Sequence, residues 1–79
     1  MTQQEELYYN NFFDLFSSEG WKQLLEELTV REQAIDVSHI NNVESLFQVK
    51  GELGIIRMLL NFERFIESAY EEVTQNESN

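Results

Sequence analysis

The segment VESLFQVKGELGIIRMLLNFERFIESAYEEV, residues 43–73, contains no proline, and its apolar residues recur at three and four positions throughout. That spacing predicts one α-helix of roughly 45 Å at 1.5 Å per residue. Two apolar stripes run along it. Leu46, Val49, Leu53, Ile56 and Leu60 form the first, and Ile55, Leu59, Phe62, Ile66, Ala69 and Val73 form the second. A helix that is apolar on two faces needs two neighbours. The remainder of the chain must supply both.

The first neighbour is the segment just upstream, a helix expected over about residues 19–37. Trp21, Leu24, Leu25, Leu28 and Ile35 make a narrow stripe, with Glu26, Glu27, Arg31, Glu32 and Asp36 off it or along its edge. SHINN, residues 38–42, breaks the pattern. Asn41 followed by Glu44 resembles a capping box, with Asn in the place usually taken by Ser or Thr. Folding the two helices as an antiparallel hairpin sets Trp21 opposite Leu60, Leu24 and Leu25 opposite Ile56, Leu28 opposite Leu53 and Ile35 opposite Leu46. The stripes match in order. The longer helix then overhangs, and Phe62, Phe65, Ile66, Ala69, Tyr70 and Val73 need cover.

The second neighbour lies near the start. LYYNNFFDLFSSEGW, residues 7–21, holds six of the ten aromatic side chains. A helix over about residues 3–17 places Tyr8, Phe12, Leu15 and Phe16 on one face, widened by Tyr9 and Phe13, and leaves Asn10, Asn11 and Asp14 for solvent. Ser17-Ser18 offers a stop and then an N-cap, and Glu19 suits the positive end of the next helix. Laid on the overhang, this aromatic face closes the core, and each ring buries ~150–250 Å². The expected fold is all-α, a single domain over 1–79. It is a long antiparallel hairpin (about 19–37 and 43–73) with the shorter N-terminal helix packed on the overhang and a frayed polar tail over 74–79.

The same aromatic helix has a second possible use: it could peel away and dock on a partner as an amphipathic anchor. Tyr8, Tyr9, Phe12, Phe13 and Phe16 are therefore candidate protein-interaction residues. An N-terminal helix exchanged between chains would combine both uses in a dimer. Gly51 and Gly54 join the candidates. Glycine inside a helix costs up to ~1 kcal/mol relative to alanine, and a one-turn spacing lets another backbone approach. The approach could be within the hairpin, near Glu27 and Val30, or between subunits.

Fifteen acidic residues against five basic ones give a net charge of −10. That balance argues against direct binding of a phosphate backbone and of an anionic membrane surface. It permits a basic protein partner or imitation of a nucleic acid. No apolar run approaches the ~20 residues of a membrane span. MTQQEEL lacks the layout of a signal peptide, so the expected location is the cytoplasm. With no Cys and one His, disulfides, thiolate zinc sites and His-rich metal sites are excluded, and no metal or cofactor is expected. Lys50, Arg57 and Arg64 repeat by sevens. They suit ion pairs to Glu19, Glu26, Glu27 and Glu32, or a contact strip for an acidic partner. Glu63, Glu67 and Glu71 form a stripe at four-residue spacing, either a solvated face or a candidate acidic recognition face. His39 sits in the loop beside Ser38 and close to Asp36, which is not the layout of an activated serine. No catalytic motif emerges, and the chain is not expected to be an enzyme.

FFDLFSSEGWKQLLEEL together with FQVKGELGIIRMLLNFE resembles small helical proteins of tailed bacteriophages, especially short-tailed marine ones. The shared elements are an F-x-x-L-F-x-S-x-G-W-K stretch, a lysine-glycine-x-leucine element and a leucine-leucine-x-x-glutamate ending. They fall here on Phe13, Leu15, Phe16, Ser18, Gly20, Trp21, Lys22, Lys50, Gly51, Leu53, Leu59, Leu60 and Glu63. Phe12 rather than Phe13 has the spacing to Leu15 that the first element asks for. The similarity covers about residues 12–70 and implies a phage setting, without assigning catalytic residues. The host cytoplasm, and then the virion, become the expected locations.

A chain of 79 residues buries only about 60% of its unfolded surface, so oligomerisation or docking on a larger protein is the expected stabilising route. Together these readings point to a non-enzymatic phage interaction protein acting in virion structure or assembly. Its expected partner is its own copy, as a homo-oligomer, or a larger phage or host protein. The alternative is a small acidic inhibitor that blocks a basic nucleic-acid-binding host protein by electrostatic mimicry.

Overall fold

The computed structural model describes residues 1–78. It is all-helical: α1 Gln3–Ser17, α2 Glu19–Ala34, a single 3-10 turn Val37–His39, α3 Val43–Leu60 and α4 Phe62–Ser78, with no strand among the described residues.

Local chemistry sets the boundaries. Thr2 and Glu5 form a reciprocal capping box at the start of α1: the Thr2 Oγ1 accepts from the Glu5 N–H at 3.0 Å, and the Glu5 Oε1 accepts from the Thr2 N–H at 3.2 Å. Ser18 both ends one helix and starts the next. Its backbone N–H donates to the Leu15 carbonyl, and its hydroxyl oxygen accepts from the Trp21 N–H at 3.2 Å. Between α2 and α3 the Asp36 carboxylate accepts from the Ser38 N–H at 2.9 Å and the Ser38 hydroxyl at 2.6 Å, which winds the 3-10 turn. The cap of α3 is Asn42, whose Oδ1 accepts from the Ser45 N–H at 2.8 Å. The Asn41–Glu44 capping box is corrected accordingly. The cap falls one residue later, on Asn42, which places Ser45 rather than Glu44 at the third helical position.

The single helix expected over 43–73 is two helices that meet at Asn61. The Asn61 side-chain amide donates to the Arg57 carbonyl at 2.7 Å, and its backbone N–H donates to the same oxygen at 3.1 Å. A short amide side chain that competes for helix carbonyls disturbs the ladder locally. Asn61 nevertheless accepts from the Phe65 N–H at 3.0 Å, so the chain re-enters a helix at once. Residues 74–78 continue α4, where the Thr74 hydroxyl donates to the Tyr70 and Glu71 carbonyls and the amino group of Met1 pairs with Glu77. Asn79 lies outside the described residues.

Among the described residues, two ion pairs join α2 to α3. Arg31 grips Glu52 with both Nε (2.5 Å) and a terminal nitrogen (3.0 Å). Arg57 Nε donates to Glu32 at 3.2 Å. Trp21 packs against Phe62, with ring centroids 6.4 Å apart. Helix α1 lies along α4 through its rings: Tyr9 and Phe13 meet Tyr70, and Phe12 and Phe16 meet Phe62.

Little is buried. Tyr9, Trp21, Ile56 and Ile66 are the buried hydrophobic residues among the described residues. The molecule measures 53 × 28 × 16 Å with a radius of gyration of 17.1 Å, against about 12 Å for a compact domain of this length. Its accessible surface of 6280 Å² exceeds the roughly 5,000 Å² of a compact monomer of this mass. The fold is an extended slab, and helix faces that a globular arrangement would cover stay at its surface.

Candidate protein-interaction surface

The aromatic residues of α1 are mostly engaged within the chain. Tyr9 is buried, Phe12, Phe13 and Phe16 are half-buried, and Tyr8 is exposed. Trp21 closes the cluster beside Phe16, with centroids 5.4 Å apart. Its indole N–H donates to the Glu63 carboxylate at 2.5 Å. The acidic stripe is thereby divided. Glu63 is half-buried and serves the tryptophan, while Glu67 and Glu71 face solvent. The row offers two free carboxylates at its end rather than a continuous series.

Gly51 and Gly54 make no tight contact with a neighbouring helix. A Cβ placed at either position would meet nothing within 4 Å. Both are exposed, so the expected approach near Glu27 and Val30 is corrected. The packed side of α3 is the one with Leu53, Ile56 and Leu60, and the glycines point the other way.

That opposite side carries a row the sequence reading overlooked. Phe47, Met58 and Phe65 are 66%, 60% and 66% exposed. They stand on the same face as Gly51 and Gly54, and with Asn61 the positions 47, 51, 54, 58, 61 and 65 alternate in steps of four and three. Val43 extends the row by one turn and is exposed as well. Phe65, which was expected to be covered with the overhang, is open. Met58, Asn61, Phe62 and Phe65 line a shallow groove of about 290 Å³ at its lower end. The signal was available, because alternating four-three spacing is the mark of a helix seam. It was hidden by counting only two stripes on a helix that has three.

One border of this row is basic. Lys50, Arg57 and Arg64 each precede a member of the row, Gly51, Met58 and Phe65 respectively, so they sit about 100° round the helix from it. All three are exposed. Of the ion pairs expected for this seam, the described residues show Arg57–Glu32. The strongest cross-helix pair runs the other way, from Arg31 on α2 to Glu52 on α3. It holds the Glu52 carboxyl below its ordinary range, chiefly through the hydrogen bond from Arg31, and raises the Arg31 guanidinium for the same reason.

The Ser38, His39 and Asp36 side chains do converge, but in an order unsuited to nucleophile activation. Asp36 lies between the other two, accepting from the Ser38 hydroxyl and facing the His39 Nε2 at 3.2 Å. An activated serine needs the imidazole between hydroxyl and carboxylate. Hydrogen bonds from the Ser38 side chain and backbone hold the Asp36 carboxyl below its ordinary range, which fits a turn-forming role. Among the described residues no group of three or more His, Cys, Asp or Glu is placed to hold a metal ion. No helix among them is long and apolar enough to cross a membrane.

No known protein family, curated protein or solved structure matches the chain.

Proposed function

We propose that this chain is a non-enzymatic helical interaction protein. Its scaffold is the α2–α3 hairpin with α1 laid over α4, and its docking face is the row from Val43 to Phe65. The observation that carries the reading is the exposure of Phe47, Met58 and Phe65 on one face of a chain that buries few residues. Large apolar side chains left exposed on one face mark a surface that something binds. The surface in excess of a compact monomer is roughly 1,300 Å², comparable with the area a standard interface removes from water. In the phage setting that the sequence resemblance implies, the partner is a component of the virion or of its assembly. The role is to bridge or brace that component rather than to transform a substrate.

Site-directed photo-cross-linking tests the reading. A photoreactive residue at Met58 should yield a discrete protein adduct in the cells that make the chain. The same residue at Lys22, on a polar exposed surface, should not. Equal adduct patterns from the two positions would remove the docking face from the account.

A further inference from the structure

The row just described is one helix wide. From Phe47 to Met58 on α3 it runs about 17 Å at 1.5 Å per residue, Phe65 follows on α4 beyond Asn61, and its four-three spacing is the repeat with which a second helix interlocks. Gly51 and Gly54 lie at its middle with open space before them. A partner backbone can come closer there than any side chain would allow.

The borders of the row say which helix. Three of the chain's five basic residues, Lys50, Arg57 and Arg64, stand along one edge, in a protein of net charge −10. Arg57 is paired with Glu32. Lys50 and Arg64 project beside the row as exposed cations. The other edge holds Gln48, Ile55 and Phe62, residues without charge. A second copy of this chain does not answer that pattern. An antiparallel two-fold pair through this row would bring the two basic edges together, and like charges across a helix seam oppose pairing. A parallel pair would set the basic edge against the uncharged one and leave the cations unanswered. The complement is a helix with its own apolar seam and a row of carboxylates along the edge that meets Lys50 and Arg64.

We propose that the Val43–Phe65 face receives an acidic amphipathic helix from another protein. The proposal rests on the reading of this row as a docking face and adds the identity of the occupant. The apolar seam supplies the attraction, the glycines set the depth of seating, and the basic edge fixes orientation and disfavours helices whose own edge is basic.

The test uses the full chain and two synthetic amphipathic peptides with the same leucine seam and matched length. One carries glutamate along the seam's edge and the other lysine. Binding is read by fluorescence anisotropy at low and at physiological salt, with the molar mass of the chain followed by light scattering. The glutamate peptide should bind about tenfold tighter at low salt, the sum of a few exposed charge pairs. Added salt should narrow the difference, and a Lys50→Glu, Arg64→Glu variant should reverse it. Equal binding of both peptides, abolished for both by Phe47→Asp, would overturn the acidic partner and leave the docking face standing. Binding of neither peptide would overturn both. Dimers of the chain that Phe47→Asp dissociates would make a second copy the occupant and overturn the proposal.

Discussion

The indole N–H of Trp21, at the start of α2, donates to the carboxylate of Glu63, at the start of α4, at 2.5 Å. The two residues are 42 positions apart in sequence, and their contact joins three helices, because Trp21 also lies against Phe16 of α1. The indole is 6% exposed. A buried donor stripped of its acceptor pays its desolvation cost in full. Glu63→Ala should therefore lower stability by about 1–3 kcal/mol in urea denaturation. Glu67→Ala and Glu71→Ala, on the exposed part of the same stripe, should stay within about 0.5 kcal/mol.

Adjacent residues of α4 should behave in opposite ways. Ile66 is 1% exposed, and truncation to alanine should cost about 2–5 kcal/mol, enough to unfold much of a domain with so small a core. Phe65 beside it points outward. Phe65→Ala should leave the thermal midpoint nearly unchanged while weakening whatever docks on the row.

The glycines offer a separation of stability from function. With nothing within 4 Å of either Cβ position, Gly51→Ala and Gly54→Ala should each stabilise α3 by up to about 1 kcal/mol. The same substitutions fill the space in which an occupant helix sits. A double variant that melts higher and binds the acidic peptide less well is the expected result. Stabilisation with unchanged binding would show that the glycines do not set the depth of docking.

Acid should loosen the α2–α3 contact through Glu52. Its folded-state carboxyl lies below its ordinary value because Arg31 donates to it. A lowered carboxyl contributes stability that is present above its unfolded value and disappears as pH falls through its folded value. The pair is solvent-exposed, so the contribution is small. Thermal midpoints measured from neutral to strongly acidic pH should show a slightly steeper acid decline for the natural chain than for Glu52→Gln. Parallel curves would mean the pair contributes nothing measurable.

Much of the helical layout was legible because it depends on neighbours in sequence. The hydroxyl of Ser18 and the apolar spacing around Trp21 define the α1–α2 junction without reference to anything distant. The aromatic surface of α1 found its cover on α4 for an equally simple reason: Phe62 and Tyr70 offer rings that Phe12, Phe16, Tyr9 and Phe13 meet. The break at Asn61 was not legible, because a single Asn among apolar residues leaves the three-four pattern intact. The hydrogen bond from Trp21 to Glu63 was not legible either, because it is a tertiary contact that no local pattern encodes. The docking row was the largest omission. Periodicity shows that Phe47, Met58 and Phe65 share a face, but whether that face is covered depends on how many helices the chain has to spend, and α1 and α2 are both used elsewhere.

Solvent accessibility of individual isoleucine and methionine methyl groups, read by NMR with a soluble paramagnetic probe on the full chain, tests the central claim most directly. Ile55 and Ile56 are neighbours, yet they are 59% and 4% exposed. The account predicts strong attenuation of the Ile55 and Met58 methyl signals and protection of Ile56 and Ile66. Protection of Met58 and Ile55 to the level of Ile56 would mean that this side of α3 is covered in the chain itself, and the docking face would not exist.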